Sequence, residues 1–191
     1  MSSAGALLLA PGAGADRDHH TLCAVADAVA PLPTERMDFP ARRAGRKGVD
    51  RAPVAIAAVV EEAEALVASA RIRANRLVLG GRSFGGRMCS MAAADGLSVK
   101  GLVLISYPLH PPAKPEKLRT EHLPGITVPT LCISGTKDTF GSPAELRRHF
   151  RRVKGDVTWS LIEKKGHDLK GCDDFIAATV SEWLKSARPR G

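Results

Sequence analysis

The 191-residue chain is 44% hydrophobic and 25% charged, a globular composition that excludes a fibrous or intrinsically disordered protein. A chain of this length buries ~70% of its unfolded surface, and with aromatics at only 4% the core must be aliphatic. The formal charge of +8 admits anionic partners, but the basic clusters at Arg42-Arg43, Arg46-Lys47 and residues 147–154 lack interleaved aromatics for base stacking, so they read as solvated surface and no nucleic-acid partner is expected.

Residues 5–10 form a continuous apolar run that opens into Pro11-Gly12-Ala13-Gly14-Ala15-Asp16, the pattern of a buried strand followed by a glycine loop. Gly12 and Gly14 match part of a dinucleotide fingerprint, but Arg17 stands at the third glycine position and no Lys-Ser or Lys-Thr follows, which argues against nucleotide binding. Residues 19–30 place Leu22, Val25, Ala26 and Val29 at helical spacing, and Pro31 and Pro33 end that helix. Arg36-Met37-Asp38-Phe39 then reads as a short strand ending at Pro40. Residues 41–53 are basic without an apolar period and read as a surface loop overhanging the site. Residues 54–72 carry Ile56, Val59, Ala63 and Leu66 on one stripe of an amphipathic helix.

Leu77-Val78-Leu79 is a buried strand stopped by two glycines, and residues 87–95 have high helix propensity up to Gly96. Between them Gly81-Arg82-Ser83-Phe84-Gly85 fits G-x-S-x-G, in which a serine sits on a strained strand-to-helix bend and the glycines leave room for it. A glycine-rich turn of this kind also cradles phosphates. The strand before it and the helix after it favour an exposed nucleophile.

Residues 99–106 read as the next buried strand, followed by the proline-rich Tyr107-Pro108-Leu109-His110-Pro111-Pro112 and a polar stretch, 113–124, with room for one short helix. Residues 128–135 form another strand with a proline near its start. After a loop at 136–141, Ser142, Pro143 and Glu145 give an N-cap, a first-turn proline and a capping box for a helix to about 153. Residues 157–162 alternate as a strand, 163–168 form a loop, and Asp173 or Asp174 caps a last helix running to about 185. Six strands alternating with helices imply an α/β fold over residues 1–191 as a single domain: a doubly wound, mainly parallel sheet of about six strands with helices on both faces. Ligands bind such sheets at the carboxyl ends of strands where the winding reverses, which gathers Ala13, Ser83, Asp138 and His167 on one edge.

Cys23, Cys89, Cys132 and Cys172 are far apart, with neither C-x-x-C nor paired-histidine spacing, so no metal site, cofactor or disulfide framework is signalled and reduced cytoplasmic thiols are expected. The apolar run at residues 6–10 is too short for a signal peptide and follows no basic residue, and no stretch approaches the ~20 apolar residues of a membrane span. A soluble protein with no membrane partner is the expectation; nothing in the sequence signals an oligomeric state.

A serine hydroxyl is a poor nucleophile until a positioned base takes its proton, and an acid should orient that base. His167, alone of six histidines, follows the last strand, and Asp138 follows the fifth, giving the order Ser83, Asp138, His167. Asp168 is the competing acid, but adjacent side chains diverge, so Asp138 is preferred. An oxyanion needs backbone donors: Phe84 N–H at the helix start supplies one and Ala13 N–H the second. Gly12 and Gly14 let the backbone approach substrate closely, and Arg82 completes the expected binding residues. The loop carrying Arg42, Arg43 and Arg46 is expected to bias the site toward anionic substrates.

Taken together, Gly80-Gly81-Arg82-Ser83-Phe84-Gly85-Gly86-Arg87, Ser134-Gly135-Thr136-Lys137-Asp138 and Gly166-His167-Asp168 resemble the small, lidless, dienelactone-hydrolase-like branch of the α/β-hydrolases. A similar domain occurs in a subunit of a nuclear histone-acetyltransferase complex. The resemblance spans nearly the whole chain. It implies a serine hydrolase of small esters, lactones or thioesters, acting on an acyl substrate through an acyl-enzyme with Ser83, Asp138 and His167 as triad. Two departures stand out: the family usually has two further strands at the amino end, and often a histidine before the oxyanion glycine, where this chain has Pro11. The expectation is therefore a minimal six-strand core with an open, shallow site. The alternative is a catalytically weak or inactive hydrolase-like scaffold that uses its basic patches for protein partners, and the ordered triad favours the enzyme.

Overall fold

Alternate residues of each buried strand run point to opposite faces, so a run that is apolar throughout needs helices on both sides of its sheet. The computed structural model, which describes residues 4–186, has that arrangement. Strands β1 (Ala6–Ala10), β2 (Thr34–Arg36), β3 (Leu77–Arg82), β4 (Gly101–Ile105), β5 (Thr130–Gly135) and β6 (Val157–Ile162) form one sheet in the order β2-β1-β3-β4-β5-β6. Every neighbouring pair is parallel. Among the described residues the α-helices are α1 (His20–Ala28), α2 (Pro40–Arg43), α3 (Ala52–Ser69), α4 (Phe84–Ala94), α5 (Pro143–Phe150) and α6 (Asp173–Ser186).

Leu8, Leu79 and Leu104 pack in one apolar cluster with Val59 of α3, Met88 of α4 and Leu146 of α5. Leu7, Leu9, Val103 and Ile105 pack in the other, with Val25 of α1 and Ile176 of α6. The sheet is thus doubly wound, as the six apolar runs imply. Its winding reverses between β1 and β3, where Ala10 pairs with Gly81. The glycine loop after β1 and the serine turn after β3 therefore open side by side at the carboxyl edge.

Three elements depart from the sequence reading. The second strand lies at Thr34–Arg36 instead of residues 36–39. Met37 N–H still donates to Leu9 O at 3.0 Å, but Met37 and Phe39 then turn into the core, where the Phe39 ring meets Phe84 edge-on at 5.1 Å. Their alternation reflects that packing and not a ladder. Residues 41–53, read as loop, begin with the last turn of α2 and end with the start of α3. The polar stretch after the prolines holds only a 3-10 turn at Leu123–Gly125. No helix among the described residues is long and apolar enough to cross a membrane.

Candidate active site

The turn after β3 is tighter than propensity alone indicates. Ser83 has φ 50° and ψ −115°, a left-handed conformation that a non-glycine residue holds at a cost of roughly 1–3 kcal/mol. Ser83 N–H donates to Ile105 O at 2.8 Å, and α4 begins at once with Phe84, with Arg87 N–H closing on Ser83 O at 3.0 Å. The flanking glycines are dictated by backbone approach. A Cβ at Gly85 would lie 2.3 Å from Ala10 O and 2.4 Å from Pro11 O, and one at Gly81 would lie 2.5 Å from Gly86 N.

Two further loops are laced together across the sheet edge. Lys137 N–H donates to Lys165 O at 2.8 Å and Thr136 N–H to Ile162 O at 3.0 Å. The crossing is so close that a Cβ at Gly135 would sit 2.2 Å from Lys165 O. This lacing sets His167 beside Asp138: His167 Nδ1 lies 2.8 Å from Asp138 Oδ2 and 3.0 Å from Oδ1. A carboxylate offers only acceptors, so Nδ1–H donates to it, which leaves Nε2 as an acceptor. Ser83 Oγ lies 2.8 Å from that Nε2 and donates to it. Asp138 is 4% exposed and also accepts Phe140 N–H at 2.8 Å. The Phe140 ring stacks on His167 with centroids 4.0 Å apart. Asp168 instead takes a local turn bond, accepting Lys170 N–H at 3.4 Å.

A cavity of about 420 Å³ opens over this chain of hydrogen bonds, lined by Ser83, His167, Phe84, Ala13, Phe140 and Pro108, with Val49 reaching in from the loop after α2. Ala13 and Phe84 carry N–H groups that find no acceptor among the described residues. Gly12 sits behind them, where a Cβ would meet Ser83 Cβ at 3.7 Å. Gly12 and Gly14 line a smaller cleft next to the main cavity. Gly14 has φ 75°, and its carbonyl accepts a bond from Arg42 Nη2.

The remaining lining is cationic: Arg82, Arg87 and Arg119. Arg82 Nη2 donates to His167 O at 3.2 Å, tying the Ser83 turn to the histidine loop. Burial draws its pKa down, opposed by Asp168, Asp138 and Asp173. The arginines expected from sequence to face substrate are engaged elsewhere. Arg42 holds the Gly14 and Ala15 carbonyls, Arg43 pairs with Glu62, and Arg46 lies 3.8 Å from Asp50. Acceptors on the glycine loop, on α3 and at Asp50 engage them, so the cationic lining comes from the end of β3, the helix after Ser83 and the loop after β4. Phe140, Arg87 and Arg119 were not singled out from the sequence. Phe140 and Arg87 could have been: one follows Asp138 by two residues, the other follows Ser83 by one helical turn.

Residues 3–186 match the family described as the alpha/beta hydrolase domain. The chain belongs to that family. Among solved structures, this α/β-hydrolase is similar to a dienelactone hydrolase from Anabaena variabilis, at 20% identity and TM-score 0.75, over 99% of this chain and 88% of that one. It is also similar to a hydrolase of the alpha/beta superfamily from Xanthomonas campestris, at 21% identity and TM-score 0.72, over 95% and 99% of the two chains. Est1E from Butyrivibrio proteoclasticus with ferulic acid bound aligns at 14% identity and TM-score 0.76, over 95% of this chain and 89% of that one. At these identities the likeness is one of fold, and it agrees with the small dienelactone-hydrolase-like architecture expected from the three motifs.

Proposed function

We propose that this α/β-hydrolase is a serine hydrolase of small carboxylic esters, lactones or thioesters. The observation that carries the reading is the unbroken chain from Ser83 Oγ, on its strained turn, through His167 to Asp138, each link 2.8 Å. In the proposed reaction His167 Nε2 takes the hydroxyl proton as Ser83 Oγ attacks the acyl carbon. Phe84 N–H and Ala13 N–H receive the oxyanion, the former at the start of α4 where the helix dipole favours negative charge. The tetrahedral intermediate collapses to an acyl-enzyme as protonated His167 hands its proton to the leaving oxygen or sulfur. Water then attacks the acyl-enzyme with His167 again as base, releasing the acid and restoring Ser83. Asp138 keeps the imidazole in the tautomer that presents Nε2 to the serine.

The neighbouring folds of a dienelactone hydrolase and of Est1E with ferulic acid bound agree with acyl chemistry. The four unpaired cysteines, Cys23, Cys89, Cys132 and Cys172, suit a reducing cytoplasm. The test is labelling of the folded protein by a fluorophosphonate probe. Wild type should label, Ser83→Ala should not, and His167→Ala should label far more slowly. Failure of the folded wild type to label, together with no hydrolysis of short acyl esters, would favour the scaffold reading.

A further inference from the structure

Arg87 lies four residues after Ser83 on α4, so the two are neighbours on one helix face. Long side chains on a helix lean over the preceding turn, and for Arg87 that turn is the one carrying Ser83. Its guanidinium lines the cavity yet makes no hydrogen bond or ion pair among the described residues, and its Nε is buried without a partner. A buried donor of this kind is costly unless something accepts from it. Arg119 lines the same cavity from the loop after β4. Its main chain is fixed, with its N–H donating to Leu109 O at 2.9 Å and its carbonyl accepting Tyr107 O–H at 2.7 Å, while its guanidinium makes only a 3.4 Å contact to Pro108 O. The two cations are close enough that, after burial, Arg87 is the main influence lowering the Arg119 pKa. The described residues lining the cavity include no carboxylate. Arg82 shares the buried, partnerless Nε, but its Nη2 donates to His167 O, whereas no nitrogen of the Arg87 guanidinium has a partner among the described residues.

The geometry points to Arg87, assisted by Arg119, as the specificity-determining receptor for a carboxylate on the substrate, about one helical turn from the carbonyl that Ser83 attacks. This rests on the serine-hydrolase reading. Ser83, Arg87 and Arg119 share one cavity of about 420 Å³, which suits a short acyl chain between the ester carbonyl and the free carboxylate. The substrate class is thus the half-ester or half-thioester of a short dicarboxylic acid. Planar guanidinium groups match a carboxylate in two-pronged fashion, and two of them without an acid between them leave a place that a neutral chain end would fill poorly.

The experiment compares kcat/KM for monoethyl glutarate with that for the ester in which a primary amide replaces the free carboxylate. Because the ratio is internal to each protein, a general loss of fold or activity cancels. A wild-type preference of about tenfold or more for the carboxylate is expected, collapsing by about tenfold in Arg87→Met and less in Arg119→Met. Arg148→Met, an exposed charge on α5, should keep the wild-type ratio. A wild-type ratio near one, an unchanged ratio in Arg87→Met, or an equal fall in Arg148→Met overturns the assignment. A binding arm separates it from the reaction itself: calorimetric titration of Ser83→Ala with monoethyl glutarate should give clearly tighter binding than the same titration of Ser83→Ala/Arg87→Met. Binding that discriminates in proteins whose wild type hydrolyses neither ester keeps the anion receptor and discards the hydrolase reading. Equal binding by the two variants discards the receptor.

Discussion

Replacing Gly85 by alanine tests the elbow most directly. The added Cβ would sit 2.3 Å from Ala10 O and 2.4 Å from Pro11 O, whereas ordinary contact begins near 3.4 Å, so the start of α4 or the end of β1 must give by about 1 Å. Both obstacles are main chain, and no rotamer change relieves them. Overpacking of a close-packed site costs roughly 1–3 kcal/mol, and with obstacles on a strand end the upper figure applies. For a chain of this size that corresponds to a fall in Tm of roughly 6–12 °C. The same displacement moves the Ala13 loop relative to Phe84 N–H, and a 1 Å misplacement in a reacting site can cost about 10²-fold in rate. Differential scanning calorimetry and the rate of fluorophosphonate labelling read the two effects. Gly14→Ala is the contrast: nothing lies within 4 Å of its Cβ, and only the left-handed backbone at φ 75° opposes it, at about 1–2 kcal/mol. A Gly85→Ala protein that melts within about 1 °C of wild type and labels at the wild-type rate would refute the packing argument.

Asp138→Asn should lower kcat on short esters by roughly 10⁴-fold, because the amide no longer fixes the imidazole tautomer, whereas Asp168→Asn should change it by less than about threefold; steady-state kinetics of the pair decides which acid acts. Burial, with Arg87 next, depresses the His122 pKa to about 4, so this ring stays neutral in the fold while it protonates near 6.5 when unfolded. The unfolded chain then binds the extra proton, and stability falls as pH drops from 6.5 toward 4 and levels below it. His122→Gln should flatten that limb in urea melts by on the order of 1–2 kcal/mol once solvent screening is allowed for. Burial raises the Cys89 thiol to about 12 and raises Cys132 as well, while Cys23 is half-exposed. A thiol reagent at pH 8 should therefore modify Cys23 first in the native protein, and Cys89 and Cys132 only after denaturant is added, as read by peptide mass mapping.

The sheet was legible because its central strands are buried on both faces. Leu7-Leu8-Leu9 and Leu102-Val103-Leu104-Ile105 leave no polar residue to confuse the period, and glycine or proline marks their ends. The edge was harder to read: Thr34–Arg36 carries three half-buried polar side chains, and its register comes from Leu7 and Leu9 of β1, which no local pattern encodes. The site divides in the same way. Ser83, Asp138 and His167 each follow a strand, so the winding alone brings their loops to one edge, and the structure puts their side chains in contact. What local sequence could not supply was the destination of the loop arginines. Arg42 and Arg43 look free in a basic, aperiodic stretch, but Gly14 O, Ala15 O and Glu62 lie within reach of them only after folding.

That engagement alters how the site's electrostatics are built. Arg42 spends its charge on the Gly14 and Ala15 carbonyls, tying down the loop that carries Ala13. Arg82 does the equivalent for the His167 loop through His167 O. Two arginines thus position the proposed oxyanion donor and the base. Arg87 and Arg119 line the cavity, and its described lining residues include no acid to meet them. Low dielectric makes an uncompensated pair of cations costly in the free protein, so an anionic group that enters relieves a repulsion as well as gaining hydrogen bonds. Selectivity by this route depends on charge more than on shape, which an open cavity of about 420 Å³ could not enforce. Raising salt should therefore erode the preference for the carboxylate ester while leaving the rate on the amide analogue nearly constant, and kcat/KM measured from 50 mM to 500 mM sodium chloride reads both. A preference that holds constant across that range would mean that the cavity selects its substrate by fit.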